Sequence, residues 1–285
     1  MKTKIAVALS SLIVASVRAD MANYEATVAG QSPAYLFNFD NSLSANIGTG
    51  SFTANSGTAF TSDLSGTANY ALSSTGANAA ANNDYISTAT IVNGQGTTTS
   101  IGTLSFLFNI STVTGSEYFL SVGGDVTSDN NALALAVSGG TPEFKLGNHS
   151  IVLPTLTTGE WYYFAATWNF DGVAANNTAT YYIGALGGSL TSATVGSGTF
   201  TAAAEVGGTT GETGSSGEVV IGNRQANNSS MQGDYDELAT WNSPLSSSQI
   251  TGQFNALTTP LPEPSAGMLI SAGVVLLELL RRKLS

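Results

Sequence analysis

Gly233-Asp234-Tyr235-Asp236-Glu237-Leu238-Ala239-Thr240-Trp241-Asn242 is the stretch that decides the fold. Its aromatic and β-branched residues suit a pleated strand, and a strand sends alternate side chains to opposite faces. Asp234 and Asp236 therefore share one face, and Glu237 takes the other. Beyond it, Leu245, Ile250, Phe254 and Leu257 fall at helical spacing. Ser246 and Gln249 make a Ser-x-x-Gln capping box, which predicts a helix from Ser246 to Leu257.

Upstream, short apolar runs alternate with Gly/Asn/Ser/Thr clusters, the pattern of strands and turns. Ala34 to Asp40 reads as the opening strand, with Tyr35, Phe37 and Phe39 on one face. Leu104 to Ile110 is a strong strand, and Ala59 to Thr61 and Asn69 to Leu72 are weaker ones. Glu117 to Val122, Ala132 to Val137, Ala179 to Ile183 and Glu218 to Ile221 complete the run. Phe144 to Leu146 and Ser150 to Leu153 form a hairpin around Gly147-Asn148. Trp161 to Trp168 is the most aromatic strand. Gly187 to Gly217 approaches low complexity and reads as surface loop. A dozen or so strands and one late helix predict a two-sheet antiparallel β-sandwich, a jelly roll, as one domain over 34–257. Residues 20–33 read as a leader into it.

The two ends have different chemistry. Lys2 and Lys4, the apolar run Ile5 to Val17, and small residues leading to Ala19 have the order of a secretory signal peptide cut after Ala19. The alternative is an ordinary buried first helix. At the other end, the linker 258–264 contains Pro262-Glu263-Pro264. The tail 265–285 then carries one apolar run and the basic cluster Arg281-Arg282-Lys283. About 15 helical residues at about 1.5 Å each span some 22 Å, short of a roughly 30 Å hydrocarbon core. This suits a transient anchor whose basic end stays cytoplasmic; a permanent single span is the alternative.

The chain carries 8 Lys and Arg against 19 Asp and Glu, a formal net charge of −11. Between the two terminal segments only Lys145 and Arg224 are basic. A body this acidic repels phosphate backbones, which excludes nucleic acid as a partner, and attracts divalent cations. There is no cysteine, hence no disulfide, thiolate metal site or cysteine nucleophile.

Two resemblances emerge from these residues. The tail, from Pro262-Glu263-Pro264 to Arg281-Arg282-Lys283, resembles the PEP-CTERM sorting signal. That resemblance implies recognition and cleavage by a membrane-embedded exosortase. The route would lead through secretion and transient inner-membrane anchoring to the cell surface or extracellular matrix. The body resembles the laminin-G-like, concanavalin A-like lectin/glucanase jelly roll. Trp161-Tyr162-Tyr163-Phe164-Ala165-Ala166-Thr167-Trp168-Asn169 is similar to that family's Trp-x-His-x-Ala-x-Thr strand. Tyr181-Tyr182-Ile183-Gly184-Ala185 stands for its Leu-Tyr-Val-Asp-Gly strand end, with Gly184 and Ala185 departing from it. Ile221-Gly222-Asn223, the stretch from Gly233 to Asn242, and Leu245-Ser246 match its closing pattern.

Asp234 and Asp236, joined by Asp40 from a neighbouring strand, offer hard oxygen ligands to calcium. The alternative is that these acids brace a loop. Tyr162, Phe164 and Trp168 share a face opposite Trp161 and Tyr163, so one row serves the core and the other could stack on sugar rings; burial of both rows is the alternative. Glycoside hydrolysis needs two carboxyl groups about 5–9.5 Å apart across the bond. The aromatic strand holds no acid, and the only histidine, His149, lies in an Asn/Gly-rich turn without a nucleophile motif. The expected function is therefore non-enzymatic binding of glycans, such as extracellular polysaccharide, or of matrix components. A structural matrix protein without ligand and a divergent glycoside hydrolase are the alternatives.

Overall fold

The computed structural model describes residues 20–54, 58–62, 70–74, 85–87, 100–112, 115–122, 133–146, 149–170, 177–195, 219–223 and 229–258. The signal peptide with Ala19, and Pro262, Glu263, Pro264, Arg281, Arg282 and Lys283 of the sorting tail, lie outside them. No helix among the described residues is long and apolar enough to cross a membrane.

Two antiparallel sheets form the body. The first contains β1 (Tyr35–Phe37), β3 (Thr58–Ser62), β4 (Tyr70–Ser74), β6 (Ser100–Ile110), β11 (Trp161–Phe170), β12 (Thr178–Ala185), β13 (Thr191–Val195) and β15 (Gly233–Trp241). Its order is β13-β12-β11-β6-β15-β4-β3, with β1 also on β15. The second contains β2 (Phe52–Ala54), β5 (Tyr85–Ser87), β7 (Ser116–Val122), β8 (Leu133–Ser138), β9 (Thr141–Leu146), β10 (His149–Val152) and β14 (Val219–Ile221), in the order β10-β9-β8-β7-β14-β5-β2. The predicted hairpin closes between β9 and β10, where His149 faces Leu146 in register; the backbone of His149 thus begins a strand.

The sheets meet over a core rich in aromatic rings, including Phe37, Phe106, Phe108, Phe119, Phe144 and Phe164. Edge and tilted ring pairs run through it, among them Phe108 to Phe119 at 4.9 Å and Phe37 to Phe52 at 5.0 Å between centroids. Such pairs add to the burial of area. Tyr35, Phe37 and Phe39 stack in succession along the opening strand. At the far side, the Tyr85 hydroxyl of β5 lies 2.8 Å from the Ala59 carbonyl of β3 and 3.0 Å from that of Ser73 in β4, a polar tie between the sheets.

The outer face of the first sheet is also covered. α2 (Ser247–Thr258) forms where the capping box predicts it. The Ser246 N–H donates to Gln249 Oε1 at 3.0 Å, and the Gln249 N–H donates to Ser246 Oγ at 3.3 Å. Beside it lies α1 (Met21–Gly30), in the segment expected to be a leader, with Asp20 as N-cap accepting from the Asn23 N–H. Met21, Tyr24 and Val28 bury one face of α1 together with Tyr163, Trp241, Ile250 and Phe254. A closed polar network locks both helices to the sheet. Tyr163 Oη donates to Gln253 Oε1, Gln253 Nε2 to Gln31 Oε1, and Trp241 Nε1 to the Gln31 carbonyl.

β2, β5 and β13 are additional to the expected strands, and β13 falls inside the stretch expected to be loop from Gly187 to Gly217.

Candidate functional site

β15 organises the acidic cluster, and its pairing changes partway along. Gly233, Asp234 and Tyr235 pair with β4, whereas Leu238, Ala239 and Thr240 pair with β1. On the β6 side, Asp236 faces Leu107 but Ala239 faces Ser105, so one extra residue is accommodated. That residue arrangement is a β-bulge, and Glu237 takes φ 54°, a left-handed conformation costly for a side chain with a Cβ. Phe39 and Asn41, which flank Asp40, have φ 51° and 52°. The bulge breaks the alternation: Tyr235 and Leu238, three apart, both enter the core between the sheets. Glu237 is therefore not simply opposite Asp236. It sits near Glu25 of α1 as well as Asp236 and Asp40.

Asp236 and Glu237 are each only 1% exposed. Asp236 Oδ1 accepts the Glu237 N–H at 2.9 Å. Apart from the neighbouring Glu25 carboxyl, no donor among the described residues reaches either oxygen of Glu237. Burial first, then the charges of Asp236 and Glu25, a hydrogen bond to Glu25, and the charge of Asp40 raise the Glu237 carboxyl well above the ordinary range. Asp234 is half-buried, and desolvation raises its carboxyl while a hydrogen bond from Ser73 opposes the rise.

The expected calcium ligands Asp40, Asp234 and Asp236 do not assemble. Asp40 Oδ1 accepts the Tyr70 N–H at 3.1 Å, and Oδ2 accepts the Asn38 amide at 2.9 Å. Asp234 lies on β15 in register with Ser73 and Asn109. Among the described residues no group of three His, Cys, Asp or Glu side chains has the arrangement to hold a metal ion. Asp40 braces the start of β4 against the end of β1, a structural task.

The aromatic row does not form an open platform either. Tyr162, Phe164 and Trp168 are 6%, 0% and 2% exposed and face the core between the sheets. The opposite row is covered by α1 and α2, where Tyr163 meets Tyr24 edge-on and Phe254 at 5.9 Å. With a second layer on each face, both rows are packing.

One polar end of that row does reach a cavity. A pocket of ≈ 280 Å³ opens at the rim of the first sheet, between the loop 153–160 and the turn joining β12 to β13. The loop is fixed to both sheets: the Leu153 N–H donates to the Pro142 carbonyl, and the Gly159 N–H to the Ile110 carbonyl. Tyr162 Oη accepts the Thr157 N–H at 2.7 Å and donates to Glu160 Oε2 at 3.1 Å. Pro154, Leu156 and Ile183 supply apolar wall, and Thr155, Ser189 and Thr191 supply hydroxyls. Gly184 keeps the floor thin, since a Cβ there would lie 2.9 Å from the Phe254 ring and 3.0 Å from the Ser189 carbonyl. Pro154 and Gly159, with the acid Glu160 directly after the glycine and before the aromatic strand, are the sequence signals that mark this loop.

The family profile described as the concanavalin A-like lectin/glucanases superfamily (Laminin_G_3) matches residues 80–251, more than half of the chain. Among curated proteins, none matches by sequence. A crystal structure of the botulinum neurotoxin serotype D binding domain superposes with a TM-score of 0.53 at 12% identity, over 82% of this chain and 56% of that one. The serotype G binding domain gives 0.52 at 10% identity, over 77% and 50%. The serotype D ligand binding domain in complex with N-acetylneuraminic acid gives 0.52 at 14% identity, over 82% and 56%. At such identities the likeness shows the fold alone, and this chain spans about half the length of those neurotoxin chains.

Proposed function

This chain belongs to the concanavalin A-like lectin/glucanases superfamily, and we propose that it is a non-enzymatic carbohydrate-binding module, exported to the cell surface or extracellular matrix. The observation that carries the binding reading is the rim pocket, where hydroxyls, an ordered phenol and one carboxylate surround apolar wall. Sugars ask for that mixture, because each ring presents hydroxyls at its edge and C–H groups on its faces. The complex of a structurally similar domain with N-acetylneuraminic acid supports the same ligand class for this fold without locating the site.

Binding is favoured over hydrolysis by the carboxyl groups. Glycosidases place two across the scissile bond, whereas Glu160 is the single carboxylate of the pocket lining among the described residues. Asp236 and Glu237 are sealed inside the body and reach no substrate. A passive structural coat is the second reading, favoured by the covering of both aromatic rows.

Export rests on the terminal segments. The apolar run before Ala19 is the signal peptide, and Pro262-Glu263-Pro264 with Arg281-Arg282-Lys283 is the exosortase-read tail. Mass spectrometry of the protein from its native cell surface checks this: the reading expects a chain starting at Asp20 and ending near Pro264. Intact termini would overturn it. A glycan array and an exopolysaccharide pull-down with the exported protein check the binding reading. Retention above background supports it, and background signal in both leaves the structural coat.

A further inference from the structure

We propose that the rim pocket holds a single uncharged pyranose ring and selects against anionic sugars, an inference that rests on the carbohydrate-binding reading above. Size is the first argument. Pockets that enclose drug-sized ligands run to about 300–1,000 Å³, and at ≈ 280 Å³ this one suits one ring, with the rest of a chain leaving through its open mouth.

Charge is the second. Glu160 is fixed by accepting from Tyr162 Oη through Oε2, and Oε1 has no partner among the described residues. A carboxylate only accepts hydrogen bonds, so Oε1 calls for the hydroxyl hydrogens of a neutral sugar. Bonds of that kind, to an ionised acceptor, are among the stronger ones. Among the described residues no lysine or arginine lines the pocket. Lys145 is 3.9 Å from Glu143 and lies over the Tyr118 ring, so it is engaged on the second sheet. A sialate or uronate carboxylate would meet the like charge of Glu160 without a counter-ion, inside an acidic body.

Reciprocal polarity is the third. Thr191 Oγ1 donates to the Ile183 carbonyl at 3.0 Å, so its proton is engaged and it can only accept from a ligand. Thr155 and Ser189 add hydroxyls that donate to sugar oxygens. Pro154 and Leu156 offer carbon surface to a ring face. The walls are held by backbone bonds, among them Gly188 N–H to the Ala185 carbonyl at 2.9 Å, so binding demands little ordering.

Calorimetric titration of the exported protein with methyl glycosides of glucose, galactose, N-acetylglucosamine and glucuronic acid, and with N-acetylneuraminic acid, tests the inference. The same titrations are made with Glu160→Gln, with Thr155→Trp, which fills the mouth, and with Glu143→Gln as a remote acidic control. A neutral glycoside is expected to bind, to weaken at least tenfold in Glu160→Gln and Thr155→Trp, and to be unaffected by Glu143→Gln. Acidic sugars are expected to stay at background in the native protein. Neutral binding that ignores both pocket variants overturns the site while leaving the carbohydrate reading intact. Tighter binding of the acidic sugars overturns the selectivity. Failure of every monosaccharide while polysaccharide is still retained overturns the single-ring site. Failure of monosaccharides and polysaccharide together overturns the carbohydrate reading as well.

Discussion

The interior of the first sheet and the pocket at its rim use the same residue types for opposite ends. Inside, Tyr163 and Trp168 are buried rings, and Glu237 is a buried acid that, among the described residues, meets only other carboxyl groups. At the rim, the Tyr162 phenol and the exposed Glu160 carboxylate touch at 3.1 Å beside open space. The contrast teaches that aromatic density and clustered acids mark where this chain packs most tightly. The groups free to meet a ligand sit where the strands run out.

The largest expected effect belongs to the interior. Trp168 packs so closely on Gly102 that a Cβ there would lie 2.6 Å from its ring. Trp168→Ala is expected to cost about 3–5 kcal/mol, read as a large fall in the urea midpoint. Retained stability with lost sugar retention would instead make Trp168 a binding residue. Next comes Gly184→Ala, whose new methyl meets the Phe254 ring and the Ser189 carbonyl. A cost of about 1–3 kcal/mol is expected for such overpacking, together with weakened sugar binding, because this position divides the core from the pocket.

Glu237 gives an effect of opposite sign. Its folded carboxyl holds a proton to higher pH than in the unfolded chain, where the value is about 4.3. Folding is then least penalised below that pH, and stability is lost as pH rises from there through the raised folded value. Glu237→Gln is expected to raise the melting temperature, more at pH 8 than at pH 4.5, and to flatten the pH slope. In a domain of this size 1 kcal/mol moves Tm by about 2–4 °C, so the change is measurable by calorimetry. A calcium-dependent rise in Tm that the same variant abolishes would assign the carboxyl pair to a cation instead.

Ser246→Ala removes the hydroxyl that accepts from the Gln249 N–H and should cost about 1 kcal/mol. Glu160→Gln, at an exposed position, should leave thermal stability within about 0.5 kcal/mol while changing binding. A marked loss of stability there would mean that Glu160 is a brace.

Much of the sandwich was legible because its strands obey a period of two. The stacked Tyr35, Phe37 and Phe39 and the capped α2 follow from spacing alone. β2 and β5 have three residues each, too few for a period to show. β13, Thr-Ser-Ala-Thr-Val, is an edge strand with Thr191 to Thr194 exposed, so no apolar alternation distinguishes it from loop. α1 hides among small residues, its buried stripe reduced to Met21, Tyr24 and Val28. The bulge at Glu237 escaped because no glycine announces it, and it undid the expected alternation after Asp236, which puts Glu237 on the opposite face. The pocket was harder still, since Glu160, Thr155 and Ser189 meet only after two loops from distant parts of the chain are placed.

Hydrogen exchange of the protein, read by mass spectrometry with and without a saturating neutral polysaccharide, tests the central claim most directly. The account predicts new protection confined to residues 153–160 and 185–191, with the already protected strand from Trp161 to Trp168 unchanged. Protection elsewhere on the body, with none at those two loops, would contradict it.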